Sequence, residues 1–492
     1  MVDMARLLLF PLVVLWMAVW WTLGTLWWLL GLPLRGNKAA DSHGTAQWAT
    51  WKELRKAGHF ERNGWLVGFL PYHKWLPSLG RKVYTTPQAS VICIAPKGQG
   101  KTQSLISAIR DFAQRPAGRQ PDLLVSDPAN DIEPATREYC AERGYKVIIL
   151  DVRDPARGHR YNVLSILQRH SMSFEADADQ IASLIMPDDA GKGEPHFQEI
   201  GRMLLVGAIM HVLTTGGMTL FDVVQALTVD TDAREKLFEG MKTSPNPRTR
   251  QAVNAFLAAG ERERGSFMTT MSRKLSVWLR RSFKEMTAPD GIDWKWEDVF
   301  VSPDPIICYV ITGLQPEEGA FARLVFGNAI NTRRRMFNQM HRGTNFPKEF
   351  CLLADEMQVM GHCNAIVDAN NELRKARTST FTTFLSWSLL FQIYPQAKTL
   401  IANSNLLVFG GSNDMEAYSE SSSIIGDITV ESASRSENDR GESESRSEQG
   451  RRLAKADEIR RLKFGEVLYL SGRLDSRLKT AWKIGKGGIE FR

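Results

Sequence analysis

The sequence predicts an α/β fold on a parallel sheet, interrupted by an all-α segment and preceded by one membrane-spanning helix. Three observations carry this. Short apolar, β-branched runs alternate with helical pattern from Val83 to Leu150, the β-α-β-α-β rhythm of a parallel sheet. From about Ser165 to Asp298 the periodicity is helical almost throughout. Leu7 to Leu34 carries no charge and exceeds the ~20 apolar residues that a bilayer-crossing helix needs.

The elements follow in order. Residues 1–40 are read as a membrane anchor, one tilted helix rich in Leu, Val and Trp. A cleaved signal is the competing reading, but the apolar run is too long for one and Gly36 to Ala40 is a poor cleavage site. Arg35 and Lys38 follow the span against only Arg6 before it, which places the body in the cytoplasm by the positive-inside rule. Residues 41–82 read as a lead-in of mixed helix and turns. Residues 83–164 and 299–492 form one α/β domain, with 165–298 an all-α insertion domain between its halves. The first strands are Ser90–Ala95, Leu123–Ser126 and Lys146–Leu150, with helices over Leu105–Ala113 and Glu133–Arg143. Within the insertion, Glu199–Leu213 and Leu220–Leu227 carry apolar stripes. Strands return at Pro305–Ile311, Phe350–Ala354, Thr380–Leu385 and Leu406–Phe409, with a long helix over Glu317–Met340. Residues 431–452 are dominated by Ser, Glu and Arg and read as a flexible surface loop. A last strand, Val467–Leu470, rejoins the sheet.

Composition excludes some classes. Apolar residues make up 43% of the 492 residues and charged ones 24%, so most of the chain can bury a core. The net charge of +7 mildly favours an anionic partner, nucleic acid or an anionic membrane leaflet. The five cysteines have no C-x-x-C spacing, and Cys93, Cys308 and Cys351 fall in apolar runs; they read as buried small hydrophobes in a reducing compartment.

Chemistry enters at Ala95-Pro96-Lys97-Gly98-Gln99-Gly100-Lys101-Thr102, close to G-x-x-x-x-G-K-[ST], with a buried strand before it and a helix after it. Backbone N–H groups of such a loop, with the helix N-terminus, cup phosphates. Gly98 and Gly100 let the backbone approach them, Lys101 reaches the β- and γ-phosphates, and Thr102 ligates Mg²⁺. Ala95 stands where the pattern has Gly, so its φ is expected to be negative. The partner motif is Phe350-Cys-Leu-Leu-Ala-Asp-Glu356, an apolar strand ending in two carboxylates. Asp355 suits Mg²⁺ and Glu356 the polarisation of an attacking water, an arrangement suited to ATP hydrolysis.

Arg248, Arg250, Arg262, Arg264, Arg273, Lys274, Arg280, Arg281 and Lys284 crowd one stretch, with Phe256, Phe267 and Trp278 interleaved. Two readings stay open: a surface that follows a phosphate backbone, or a solvated helix face with its aromatics in the core.

At this point the residues resemble the TraG/TraD/VirD-type coupling proteins of type IV secretion and conjugation, over nearly the whole chain. The resemblance rests on Gly44-Thr-Ala-Gln-Trp-Ala49, the Ala95-Pro96 opening of the loop, Asp127-Pro128, Tyr161-Asn162, Glu263-Arg-Gly-Ser266, Asp355-Glu356, Tyr394, Ala402-Asn403 and Arg451-Arg-Leu453 with Asp457-Glu-Ile459. It implies a RecA-like P-loop NTPase domain with an all-α insertion domain, ATP and Mg²⁺ as cofactors, and a homo-hexameric ring with nucleotide between subunits. Implied partners are DNA or a relaxase–DNA complex, inner-membrane components of a type IV secretion channel, and the bacterial inner membrane itself. A trans-acting cation is also implied, with Arg374 and Arg377 the candidates and Arg374 at the family's position. There are departures. Leu385 stands where the family has a γ-phosphate-sensing Gln, with Ser386 a candidate substitute, and one span is seen where many relatives carry two.

The leading expectation is an ATPase that couples hydrolysis to delivery of DNA, or of a DNA–protein complex or effector protein, into a secretion channel. The alternative is a nucleotide-binding substrate receptor with little hydrolysis, which Leu385 favours and the intact Lys101, Asp355 and Glu356 oppose. A chromosome-segregating DNA pump is disfavoured by the single anchor and the helical insertion.

Overall fold

The computed structural model describes residues 43–70, 80–187, 195–216, 218–288, 294–341, 343–411, 415–438, 441–471 and 478–480. The expected span Leu7–Leu34 lies outside them, and among the described residues no helix is long and apolar enough to cross a membrane. The chain divides into two compact units, residues 46–426 with 452–492, and residues 1–45 with 427–451.

In the larger unit, Thr50 and Glu53 form a reciprocal capping box that starts the helix Trp51–Lys56. Strands β1 (Leu66–Leu70) and β2 (Arg81–Tyr84) then pair antiparallel. The sequence predicts only helix and turns across this lead-in, because each strand is too short to display a period.

The remaining strands of this unit are β3 (Ser90–Ile94), β4 (Asp122–Ser126), β5 (Lys146–Asp151), β6 (Ile306–Ile311), β7 (Phe350–Ala354), β8 (Thr378–Phe384) and β9 (Ser404–Phe409). After β10 (Asp427–Asn438) and β11 (Gly441–Arg452) come β12 (Val467–Leu470) and β13 (Leu478–Thr480). One nine-stranded sheet has the order β13-β12-β9-β3-β8-β7-β4-β6-β5. From β9 to β5 every neighbour pair is parallel, while β12 and β13 continue the edge antiparallel.

Strand periodicity sorts the sheet's side chains into two cores. Val91, Cys93, Leu123, Val125, Tyr309 and Leu353 face one way, onto helices Lys101–Ala113 and Ile132–Ala141 through Leu105, Ile109, Phe112, Ile132 and Cys140. Ile92, Ile94, Leu124, Cys308, Leu352 and Leu406 face the other way, into a second and larger core. The long helix Gly319–Gln339 and the helices between β5 and β6 pack there. Among the described residues between β5 and β6 all regular structure is helical, from Phe174–Ile185 to Trp296–Val301. Residues 165–298 belong to the same compact unit as the sheet, because they supply the cover for this face.

The aromatics of the basic stretch resolve one of the two open readings. Phe256, Phe267 and Trp278 are buried in the larger core, so they offer no stacking platform. Several cations are engaged within the chain: Arg248 bridges Asp179 at 2.9 Å and Arg281 bridges Glu285 at 2.7 Å. Arg262, Arg273 and Lys284 are exposed.

In the smaller unit, β10 and β11 pair as a two-stranded sheet, and Thr45 bridges Ile428. This corrects the expectation of a loop over 431–452. Ser and charged residues alternate over Glu442–Glu448, which is a strand period, but both phases are polar. With no apolar face to reveal it, the period reads as composition.

At the strand starts, Lys348 Nζ donates to Asp122 Oδ1 at 2.6 Å and both side chains are buried. Asp122 also accepts from Ile306 N–H at 3.0 Å. Burial pushes the Asp122 carboxyl up to about 6 even against Lys348. Lys348→Met strands that carboxylate, and chemical denaturation is expected to show a loss of roughly 3–5 kcal/mol. A loss under about 1 kcal/mol would mean the pair does not hold the strand starts together.

Candidate nucleotide-binding site

The loop begins where β3 ends. Ala95 N–H donates to Phe384 O at 3.1 Å, which carries the chain off the sheet beside β8. Ala95 is not among the residues of positive φ, as its Cβ requires. Gly98 (φ +81°) and Gly100 (φ +97°) are left-handed, and Gly100 leads directly into the helix Lys101–Ala113. No side chain caps that helix start, so its first amides are available to an anion. Lys101 is buried, and its ammonium donates to Ala95 O at 3.0 Å and Pro96 O at 3.2 Å. It thus ties the loop to itself. Pro96 and Gln99 are partly exposed and Lys97 exposed along the loop. Gln99 packs on the segment after β9, where a Cβ at Gly411 would lie 2.5 Å from its amide.

The carboxylates arrive from β7, with β8 interposed between β7 and β3. Thr102 Oγ1 donates to Asp355 Oδ2 at 2.8 Å, joining residues 253 positions apart. Thr383 Oγ1, on β8, donates to the other oxygen, Oδ1, at 2.7 Å and accepts from Glu356 N–H at 3.0 Å. Sequence reasoning missed Thr383. The signal was the hydroxyl-rich run Thr378-Ser-Thr-Phe-Thr-Thr-Phe384, unusual for a strand buried on both faces.

Glu356 occupies the left-handed region at φ +45°, which turns its side chain away from the strand axis. Burial and then the neighbouring Asp355 charge raise its pKa, while Lys101 and Lys97 oppose the rise. Lys101, Asp355 and Glu356 therefore lie within one electrostatic neighbourhood. Asp127, at the end of β4, is also buried there. It accepts from the N–H groups of Asp131, Ile132 and Glu133 at 2.8–2.9 Å and starts the helix Ile132–Ala141. Burial raises it to about 6, despite those donors.

Arg374 is not brought to this cluster. It is exposed and lines a polar cleft with Ser90, Asn371, Asn403 and Asn405, at the opposite end of strands β3 and β9. Arg377 spends its Nη1 on Phe346 O and Pro347 O, each at 3.0 Å. Ser386, the candidate substitute for a sensing Gln, accepts from Leu389 N–H at 3.2 Å and caps the helix Trp387–Ile393.

A family model described as "Type IV secretory system Conjugative DNA transfer" matches residues 47–481. The chain belongs to this family. It is 26% identical over 377 residues to the conjugal transfer protein TraG of Rhizobium radiobacter, covering 71% of this chain and 56% of that protein. It is 24% identical over 412 residues to the VirD4 protein of Agrobacterium fabrum, covering 80% of this chain and 58% of that protein. The chain thus spans little more than half the length of these curated relatives. Its fold is that of the bacterial conjugative coupling protein TrwB, with a TM-score of 0.66 at 17% identity over 90% of this chain and 93% of that one. TrwB has also been solved with the non-hydrolysable ATP analogue ADPNP (TM-score 0.64) and with ADP and Mg²⁺ (TM-score 0.62). This TrwB-like, parallel-dominated sheet fits a RecA-like domain, with the glycine-loop strand β3 one strand removed from the carboxylate strand β7.

Thr383→Val keeps the shape of β8 but leaves Asp355 Oδ1 and the Glu356 N–H without their shared partner. The expected outcome is a loss of about 1–3 kcal/mol in denaturation. Binding of Mg²⁺-ADPNP, measured by titration calorimetry, should weaken in the same variant.

Proposed function

We propose that this protein is a membrane-anchored ATPase that couples ATP hydrolysis to delivery of DNA, alone or with bound protein, into a type IV secretion channel. The single observation that carries the reading is the contact between Thr102 and Asp355, which joins the glycine loop to the paired carboxylates. The residues fit a magnesium–triphosphate. Two hard oxygen donors, a hydroxyl and a carboxylate, stand together at the end of a loop of free amides. A Cβ at Gly98 would meet nothing within 4 Å, so the loop's outer surface is open to a ligand. The solved complexes of TrwB with ADPNP, and with ADP and Mg²⁺, support the same pair of cofactors.

In this reading residues 95–102 bind the phosphates. Lys101 leaves its two loop carbonyls for the β- and γ-oxygens, which gain a cation as the carbonyls lose one. Thr102 and Asp355 hold Mg²⁺, which neutralises charge on the phosphates. Glu356, already raised in pKa and angled off the strand, accepts a proton from the attacking water. Arg374 is too far along the sheet to serve its own loop, so it acts in the site of a neighbouring copy within a ring, for which a homo-hexamer is the proposed form. The anchor is Leu7–Leu34, in the bacterial inner membrane with the body in the cytoplasm. DNA, or a relaxase–DNA complex, is the cargo, and inner-membrane channel components are the partners. Exposed cations such as Arg262 and Arg273 contact the phosphate backbone without sequence preference.

ATPase assays of the full-length protein and Lys101→Ala test the reading. Turnover should fall at least about a hundredfold in the variant. Equal, negligible rates in both would support a nucleotide-binding receptor instead, the outcome Leu385 favours. Because the Glu356 carboxylate has a raised pKa, its ionised form is lost early as pH falls. Turnover should therefore decline on the acid side above the ordinary carboxylate range, and Glu356→Gln should remove that limb along with most of the rate. Alkaline carbonate washing tests the anchor: the full-length chain should stay in the membrane pellet, and release into the supernatant would argue against a spanning helix.

A further inference from the structure

The long helix Gly319–Gln339 follows β6 and carries Gly319, Arg323 and Gly327 four residues apart, hence along one face. The two glycines sit where the chain approaches its neighbours too closely for a Cβ. A Cβ at Gly319 would collide with Val359 O, and a Cβ at Gly327 with the Leu184 side chain. Between them Arg323 is buried, with Nε donating to Leu184 O at 2.8 Å and Nη1 to Met360 O at 2.7 Å.

The two acceptors belong to different functional regions. Met360 ends the one-turn helix Met357–Met360 that begins immediately after Glu356. Leu184 is the penultimate residue of Phe174–Ile185, the first α-helix of the helical insertion. Both are carbonyls at helix C-termini, where a cation is favoured. Among the described residues the titratable neighbours of Arg323 are Cys363 and Tyr394, with no carboxylate paired to it. Burying a guanidinium without a counter-charge is costly, and an apolar side chain would pack there more cheaply. What only a planar, multi-donor side chain supplies is the simultaneous hold on two backbones. The same segment is held from another side by Tyr394, whose hydroxyl donates to Gly361 O at 3.2 Å.

We propose that Arg323 is a positioning residue that ties the turn after Glu356 to the helical insertion, so that rearrangements at the nucleotide site and in the insertion occur together. This rests on the nucleotide-hydrolysing reading above. With both ends gripped, a shift of the Glu356 turn pulls on the end of Phe174–Ile185 through one rigid fork. The opposite also holds: cargo engaged by the insertion would bias Glu356 toward or away from its working position.

Hydrogen exchange of the full-length protein, with and without Mg²⁺-ADPNP, tests the link without needing turnover. In the wild type, the analogue should slow exchange in both 357–363 and 174–185. In Arg323→Met it should slow only 357–363, with affinity for the analogue within about twofold of wild type and turnover reduced about tenfold or more. Arg323→Lys, able to reach one carbonyl but not both, should fall between them. The idea is overturned if 174–185 ignores the analogue in the wild type, or if both segments still respond in Arg323→Met. Should the Met variant not fold, the wild-type pattern and the Lys variant decide. A wild type that binds no analogue would instead remove the nucleotide reading itself, and this inference with it.

Discussion

A single carboxylate, Asp355, receives hydroxyl donors from Thr102 and Thr383 on its two oxygens. Strands β3 and β7 are not neighbours; β8 separates them by two strand spacings, about 10 Å. A loop leaving β3 reaches a side chain at the tip of β7 only by curling over the end of β8. Thr102 makes that crossing from the helix, and Thr383 supports it from beneath. The same Thr383 oxygen accepts the Glu356 N–H, so the left-handed turn of Glu356 is set by the bond that orients Asp355. The glycine loop, the acid pair and the strand between them form one hydrogen-bonded unit.

That unit is placed by an asymmetry between the two ends of the sheet. At the starts of β4, β6 and β7, buried charged groups are paired within the chain. Lys348 meets Asp122, and the buried Arg333 donates to Ala376 O and Lys348 O while its guanidinium lies over the Phe346 ring. At the strand ends, Asp127, Asp355, Glu356 and Lys101 gather in a small volume, with desolvation raising Asp127 and Glu356. Open α/β sheets take ligands beyond the carboxyl ends of their strands, and here the charged groups are concentrated at that end. The cost of assembling them falls on the sheet's two apolar cores, which hold the strand ends in register.

The helical insertion is part of the same economy of space. It covers one face of the sheet, and its aromatics, Phe256, Phe267 and Trp278, are committed to that core. Its surface cations, not those aromatics, are what it leaves exposed. The row Gly319, Arg323, Gly327 attaches it to the sheet: Gly327 lies against the Leu184 side chain, Gly319 against Val359 O, and Arg323 bonds the carbonyls of Leu184 and Met360.

Much of this was legible in the chain. The sheet strands β3 to β9 and β12 announce themselves as short runs bounded by turn residues, most of them apolar and β-branched. The loop 95–102 and the pair Asp355-Glu356 are local patterns whose chemistry follows from residue type and order. Other features had no local signature. The pair β1 and β2 is too short for a period, and β10 and β11 alternate only among polar residues. The hydroxyl-rich run of β8 marks the strand as unusual, but which of its hydroxyls matters follows only from its place between β3 and β7. Arg374 and Arg377 are both candidates in the sequence, Arg374 at the family's position; in the structure Arg374 is exposed and Arg377 is tied to Phe346 O and Pro347 O. The sequence by itself determined most strands of the large sheet, the position of the glycine loop 95–102 and the Asp355-Glu356 pair, because these depend on neighbours within a few residues. Only the tertiary structure decided that Thr383 orients the acid and that Arg323 joins Met360 to Leu184, because strand order and helix docking bring together groups that no sequence spacing relates.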